Sequence, residues 1–334
     1  MGVAFHPTYG DFMRIASILV AACLLAAAPL ARAQADYPNK PIRLVVGFAA
    51  GGISDVLGRA LAARLSANVG QSVLVENRAG AGTTIAADFI AKSPPDGYIL
   101  FLQDITSHAI NASLYPKLPY DSVKDFTPIA LVASTPLMLV VHPSTSARTV
   151  KELVAMLKAA PGKYSYGSSG NGTILHLASE LFATSQGVTV THIPYKGSAP
   201  ATQAIMANDV SFVFSTMPPA VSAVKGGKLR ALAVTTPARV GAAPEVPTMI
   251  EAGLPGYEVV LYSGILGPRG MDAALVKKIN GEFARVVASP EVKKIYETLG
   301  ADGITATSED FGRMISREIG ALAPLVKASG AKVD

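Results

Sequence analysis

The chain has 334 residues, half of them hydrophobic, with 29 Lys and Arg against 24 Asp and Glu and a single cysteine. A formal charge of +5 spread thinly along the chain argues against a nucleic-acid binder, and one thiol excludes an internal disulfide framework or a cysteine-built metal centre. Length and composition predict an α/β protein of two domains.

At the N-terminus, Met13-Arg14 opens an apolar stretch, Ile15 to Leu30, that ends in Ala31-Arg32-Ala33 before Gln34. This pattern reads as a secretory signal peptide over 1–33, with Met1 or Met13 as the start. A membrane anchor is the weaker alternative, because the run contains Pro29 and falls short of the roughly 20 residues needed to span a bilayer. Acylation at Cys23 would leave a very short apolar region. Cleavage after Ala33 removes Arg14, Arg32 and Asp11, so the net charge falls from +5 to +4, and Cys23 goes with them. An exported protein of this size without disulfides fits a bacterial periplasm.

The apolar run Ile42–Val46 predicts a strand that stops at Gly47-Phe48-Ala49-Ala50-Gly51-Gly52. A helix pattern follows at once over Ser54–Asn68, with Ser54 read as its N-cap and Asp55 in its first turn. Strand, glycine loop and helix start in that order present backbone N–H groups to a small anion. Helix Thr84–Lys92 and strands Val73–Val75 and Tyr98–Leu102 complete a first series, which implies right-handed crossovers and a parallel sheet. Gly80-Ala81-Gly82 lacks the third glycine of a dinucleotide fingerprint. Phe126–His142, extended and interrupted by Pro128 and Pro136, is a hinge-strand candidate.

A second series follows. Helices are expected at Val150–Ala159, Thr173–Thr184, Ala199–Asn208 and Pro218–Lys225, alternating with strands at Tyr164–Tyr166, Val188–Ile193, Val210–Phe214 and Leu229–Val234. A matching extended run, Tyr257–Tyr262, leads to tail helices at Asp272–Ala288, Pro290–Leu299 and from Ser308 onward. These tail helices need a sheet to cover, and only the first is short of helices. The expected organisation is therefore two domains joined by two crossing strands, 34–138 with 255–334 and 139–254.

The second series carries its own strand-to-helix glycine loop, Gly167-Ser168-Ser169-Gly170-Asn171-Gly172-Thr173, rich in hydroxyl and backbone donors. Pro194-Tyr195-Lys196-Gly197 opens another helix, and Phe214-Ser215-Thr216 ends a further strand. Four such loops on strand C-termini converge where open α/β sheets place their ligands. His176 lies one turn into its helix, a place where packing and pocket contact are both open to it. No hydrolase elbow, phosphate loop, metal spacing or carboxylate pair is present. The residues point to a binder of a small anion without metal or cofactor. An exported α/β enzyme acting on an organic acid is the alternative from another class. An α-ammonium group in the closed cleft would need an acid; the strand end that could supply one carries Ser215, which predicts a preference for plain carboxylates. That preference would reverse if Asp104, just after Tyr98–Leu102, faced the cleft.

Blocks along nearly the whole mature chain resemble the Bug family: Tyr37-Pro38-Asn39-Lys40-Pro41-Ile42, Phe48-Ala49-Ala50-Gly51-Gly52 with Asp55, Val75-Glu76-Asn77-Arg78, Pro95-Asp96-Gly97-Tyr98, Pro194-Tyr195-Lys196-Gly197, Leu229-Arg230-Ala231-Leu232 and Pro247-Thr248 with Glu251-Ala252-Gly253. Bug proteins are periplasmic solute-binding components of tripartite tricarboxylate transporters. The resemblance implies a two-domain Venus flytrap closing on a small organic acid and serving membrane transporter subunits; a monomer is expected, and a sensor docking to a membrane receptor is a further alternative. It places the ligand carboxylate against Phe48, Ala49, Ala50, Gly51 and Gly52, and against the hydroxyls of the second domain. The residues expected there are Ser168, Ser169, Gly170, Gly172 and Thr173, with Asp55, His176, Tyr195, Lys196, Gly197 and Ser215 beside them. The chain departs from the family at Gly47, where proline is common, and at Tyr262-Ser263-Gly264, where Trp-x-Gly is frequent.

Overall fold

The computed structural model describes Gly2 and residues 37–331. The signal-peptide, cleavage and Cys23 expectations lie outside the described residues. By its contacts the chain divides at Asn39/Lys40, and the architecture below is that of the unit beginning at Lys40.

Three parallel strands, β1 (Ile42–Val46), β2 (Val73–Asn77) and β3 (Ile99–Asp104), carry helices α1 (Ile53–Val69), α2 (Thr84–Ala91) and α3 (Ile105–Leu114). The long strand β4 (Phe126–Val141) follows. The second series comprises α4 (Val150–Ala159), β5 (Ser165–Ser168), α5 (Ile174–Gln186), β6 (Thr191–Pro194), α6 (Ser198–Met206), β7 (Phe212–Thr216), α7 (Met217–Lys225) and β8 (Arg230–Val234). The chain ends in β9 (Val260–Pro268), α8 (Ala273–Ala288), α9 (Pro290–Leu299), a two-residue strand β10 (Asp302–Gly303) and α10 (Ser308–Ser329).

Strand β4 unites the two series. Its first part, Phe126–Pro136, pairs antiparallel with β9, which also pairs with β3. Its last part, Leu137–Val141, pairs antiparallel with β7 and β8. The sheet order is β2-β1-β3-β9-β4-β7-β5-β6. Two lobes result, each with its own core: Val45, Phe101, Leu266 and Phe311 in the first, Val140, Ile205, Val213 and Met217 in the second. Helix α10 returns to the first lobe, where Phe311 packs so closely that a Cβ on Gly264 would overlap its ring.

Thr235 stitches the crossing point. Its Oγ1 accepts from the Leu137 N–H at 2.9 Å and donates to the Val259 carbonyl at 2.6 Å, while its own N–H donates to the Leu137 carbonyl at 3.0 Å. Both chain passages between the lobes are thus held to one buried residue.

The structure corrects three local expectations. Helix α1 starts at Ile53 with Gly52 as N-cap, so Ser54 is not the cap but lies in the first turn. Strand β9 begins at Val260 and runs on to Pro268, so only the end of the Tyr257–Tyr262 run is strand. Helix α3 has no counterpart in the periodicity, because Thr106, Ser107, His108 and Asn111 are all buried and no polar face alternates with an apolar one.

Candidate functional site

A pocket with about 270 Å³ of space, part of it open to solvent, lies where the lobes meet. The first lobe supplies Phe48 and Gly52 from the β1–α1 loop, Ile53 and Ser54 from α1, Asp104 from the end of β3, and Leu261 from β9. The second supplies Ser169, Leu175, Ser198 and Thr216.

Five helices begin at this cavity. Helices α1, α5, α6 and α7 have Gly52, Thr173, Gly197 and Thr216 as N-caps, none of which makes a side-chain capping bond. Only α3 is capped, by Asp104, whose Oδ1 accepts from the Ser107 N–H at 3.0 Å. Helix starts combine partial positive charge with N–H donors; Pro218 and Pro219 remove two of them from α7 and the Ile174 N–H of α5 is given to Ser107, yet the convergence still favours an anion without any basic side chain. Two buried hydroxyls add to this: Ser169 Oγ and Thr216 Oγ1 line the cavity and have no hydrogen-bond partner.

The lobes are in contact around the cavity. The Ala49 N–H donates to the Lys196 carbonyl at 3.0 Å, and the Ile174 N–H donates to Ser107 Oγ at 3.0 Å. Ser107 Oγ in turn donates to Asp104 Oδ2. Glycines permit this approach: a Cβ on Gly82 would collide with the Asn171 carbonyl, and one on Gly172 with Asn111 Oδ1.

A second, outer chamber with about 750 Å³ of space shares Phe48 and Ser169 with the inner one. Gly170, Tyr195 and Lys196 line it, opposite Gly80, Gly82 and Tyr115. Of the residues expected at the site, Phe48, Gly52 and Ser169 therefore reach the inner cavity, and Gly170, Tyr195 and Lys196 the outer one.

The remaining expected residues shape these walls without lining either space. Ala50 and Gly51 lie on the exposed side of their loop. Asp55 accepts from the Gly51 N–H at 3.0 Å and pairs with Arg59 at 2.9 Å. Burial raises its pKa, but the bonds from Arg59 and Gly51 outweigh that and hold the carboxyl below its usual range. Ser168 Oγ bonds His192 Nε2 at 2.6 Å and accepts from the Gly170 N–H, and Thr173 Oγ1 donates to the Gly170 carbonyl at 2.8 Å. Gly197, at φ +147°, lets α6 approach Ala49. Ser215 turns behind the cavity to Thr202 Oγ1 (2.7 Å) and Ser198 Oγ (3.1 Å).

His176 is also behind the serine loop. Its Nδ1 accepts from the Gly172 N–H at 3.3 Å, and its ring stacks on His192 with centroids 4.0 Å apart. Burial pushes His176 down to about 4. Burial, followed by the neighbouring His176, pushes His192 down to about 3. Both imidazoles are neutral supports for the loop.

Sequence reasoning left out Ile53, Ser54, Leu175, Ser198, Thr216 and Leu261 as lining residues, and held Asp104 only as an exception. Strand alternation could have found Thr216: with β7 buried on both faces, Ser215 and Thr216 must point to opposite sides.

Two α/β lobes that enclose a donor-rich cavity between strand ends define a solute-binding protein of the two-lobed clamp class. A family model, the tripartite tricarboxylate transporter family receptor, matches residues 57–331, and the chain belongs to that family. Among its relatives, BugT of Bordetella pertussis is 35% identical over 298 residues, 89% of this chain and 91% of BugT. Among solved structures, Rpa4515 of R. palustris with adipate matches with a TM-score of 0.86 at 35% identity, over 89% of this chain and 100% of that one. MatC from Rhodopseudomonas palustris with bound malate matches with a TM-score of 0.83 at 29% identity, over 87% and 100% of the two chains.

Proposed function

We propose that the protein is exported with cleavage near Ala33, captures a small carboxylate in the periplasm, and delivers it to a membrane transporter of the tripartite tricarboxylate type. The observation that carries this reading is the convergence on one pocket of four helix N-termini whose N-cap side chains make no capping bond, with two unpartnered hydroxyls beside them. Binding of adipate and malate by two structural relatives supports the same ligand class.

Capture proceeds by closure of domains 34–138 with 255–334 and 139–254 about the crossing at Thr235. The carboxylate meets the N–H groups of α1 and the Ser54 hydroxyl from one lobe, and Ser169, Ser198 and Thr216 from the other. Micromolar affinity needs about 8 kcal/mol net. Five or six hydrogen bonds to a charged group, at roughly 1.5–3 kcal/mol each, supply that after the costs of immobilisation.

The test is calorimetric titration of the protein from Gln34 onward with succinate, malate and adipate, alongside small-angle scattering. At least one acid binds, and the radius of gyration falls on saturation. An absence of binding heat and of thermal shift with all these acids would overturn the carboxylate reading; binding with an unchanged scattering profile would overturn closure.

A further inference from the structure

We propose that Asp104 selects ligands that carry an ammonium group beside their carboxylate, so that the cavity is built for an amino acid in preference to the plain acid of the same skeleton. This inference rests on carboxylate capture at the same cavity.

Asp104 is the one ionisable side chain among the described residues that line the inner cavity, and it is 1% exposed. Its oxygens accept only from neutral donors, the Ser107 N–H and Oγ and the Thr106 N–H. Among the described residues no Lys, Arg or His pairs with it. Four other ionisable groups on elements around the cavity are engaged elsewhere, Asp55 with Arg59, His108 with the Ser122 carbonyl, His176 with the Gly172 N–H, and Glu180 with the Tyr166 hydroxyl, while Lys196 lines the outer chamber and not this cavity.

The N-terminus of α3, which Asp104 caps, offsets part of its charge, but among the described residues no cationic side chain pairs with it, and a buried charge so placed still gains from a cationic partner. The cavity wall carries both kinds of group. Uncapped helix starts and orphan hydroxyls face a carboxylate, while Asp104 offers acceptor oxygens for a cation. A zwitterion meets both ends; a plain carboxylate brings a second negative charge beside Asp104. The expectation drawn from Ser215, a preference for plain acids, is reversed because the acid enters from β3 rather than β7. Burial pushes Asp104 up to about 6, against the hydrogen bonds from Ser107 and Thr106, so it is ionised at pH 7.5 and protonated at pH 5.

The experiment is calorimetry at pH 7.5 on matched probes, aspartate with succinate and malate, glutamate with glutarate, and alanine with propionate. Repeat titrations at pH 5 and with Asp104→Asn complete it. In at least one set the amino acid binds tenfold or more tighter, about 1.4 kcal/mol, and the preference shrinks at pH 5 and in the variant. The pH arm uses the unaltered protein, so it decides the matter even where Asp104→Asn fails to fold. Tighter binding of the plain acids, or malate binding as well as aspartate, overturns the inference and leaves carboxylate capture standing. If no probe of either kind binds, carboxylate capture falls, and this inference with it.

Discussion

Replacing Gly82 by alanine separates closure from folding, because its two penalties fall on different states. Gly82 sits at φ +57°, a left-handed conformation that costs a residue with a Cβ roughly 1–2 kcal/mol. That cost is present whether the lobes are open or closed, so it lowers the melting temperature of the unliganded protein by several degrees. The second penalty exists only in the closed state, where the added Cβ meets the Asn171 carbonyl of the opposite lobe. The obstacle is backbone and cannot swing aside, so the lobes must part. Two bonds span the contact, Ala49 N–H to Lys196 O and Ile174 N–H to Ser107 Oγ. Loss of both, at roughly 0.5–1.5 kcal/mol each, weakens ligand binding by roughly 5- to 150-fold. Calorimetry with whichever acid binds the unaltered protein, paired with thermal melts, reads the two effects separately. Unchanged affinity in a folded Gly82→Ala protein would refute the claim that the ligand-bound lobes meet as they do here.

Thr235→Val keeps the shape but strips the Leu137 N–H and Val259 carbonyl of their shared partner, and should cost about 2–4 kcal/mol in denaturant unfolding; a loss under 1 kcal/mol would remove Thr235 as the stitch of the crossing. Ser169→Ala removes an unpartnered buried hydroxyl, so it should leave unliganded stability equal or higher while affinity falls about tenfold. Gly51→Val should weaken binding further than Ser169→Ala, since Gly51 sits at φ +90° and its Cβ would lie 3.2 Å from Ala199 Cβ; calorimetry on both variants orders them. His192 is neutral in the fold down to about 3 but takes a proton near pH 6.5 when unfolded, so its contribution is complete above that pH and is lost as pH falls toward 3. His192→Gln should therefore shrink its stability deficit to the unaltered protein by about 1.4 kcal/mol per pH unit between pH 6 and 4. Parallel stability curves would show that the ring titrates alike in both states.

Much of this protein was legible from local pattern. The apolar run Ile42–Val46 could only be a buried strand, and the glycines after it could only be a loop. The periodic faces of α4, α8 and α9 gave their bounds to within a residue. Those elements obey simple rules because one side faces solvent and the other a core. The expected two-lobe organisation came from counting which sheet lacked covering helices; α10 packs Phe311 and Ile315 against Val45, Phe101 and Leu266.

Where both sides of an element are buried, the pattern carries no direction. Helix α3 hid because its polar residues turn inward to bond other buried groups, as Asn111 does to the Gly82 carbonyl at 2.7 Å. The expected loops lie at the cavity, but not all of their side chains turn toward it. His176, in the first turn of α5, and Ser215, near the end of β7, bond within the second lobe, while Ser54, Ser198 and Thr216 line the cavity. Sequence alone determined that helix N-termini and hydroxyls would gather at strand ends, because chain connectivity puts them there. Which hydroxyls face the ligand space, and that Asp104 stands among them without a counter-charge, only the tertiary structure decided. That choice depends on how one lobe is rotated against the other, and no local residue pattern records the rotation.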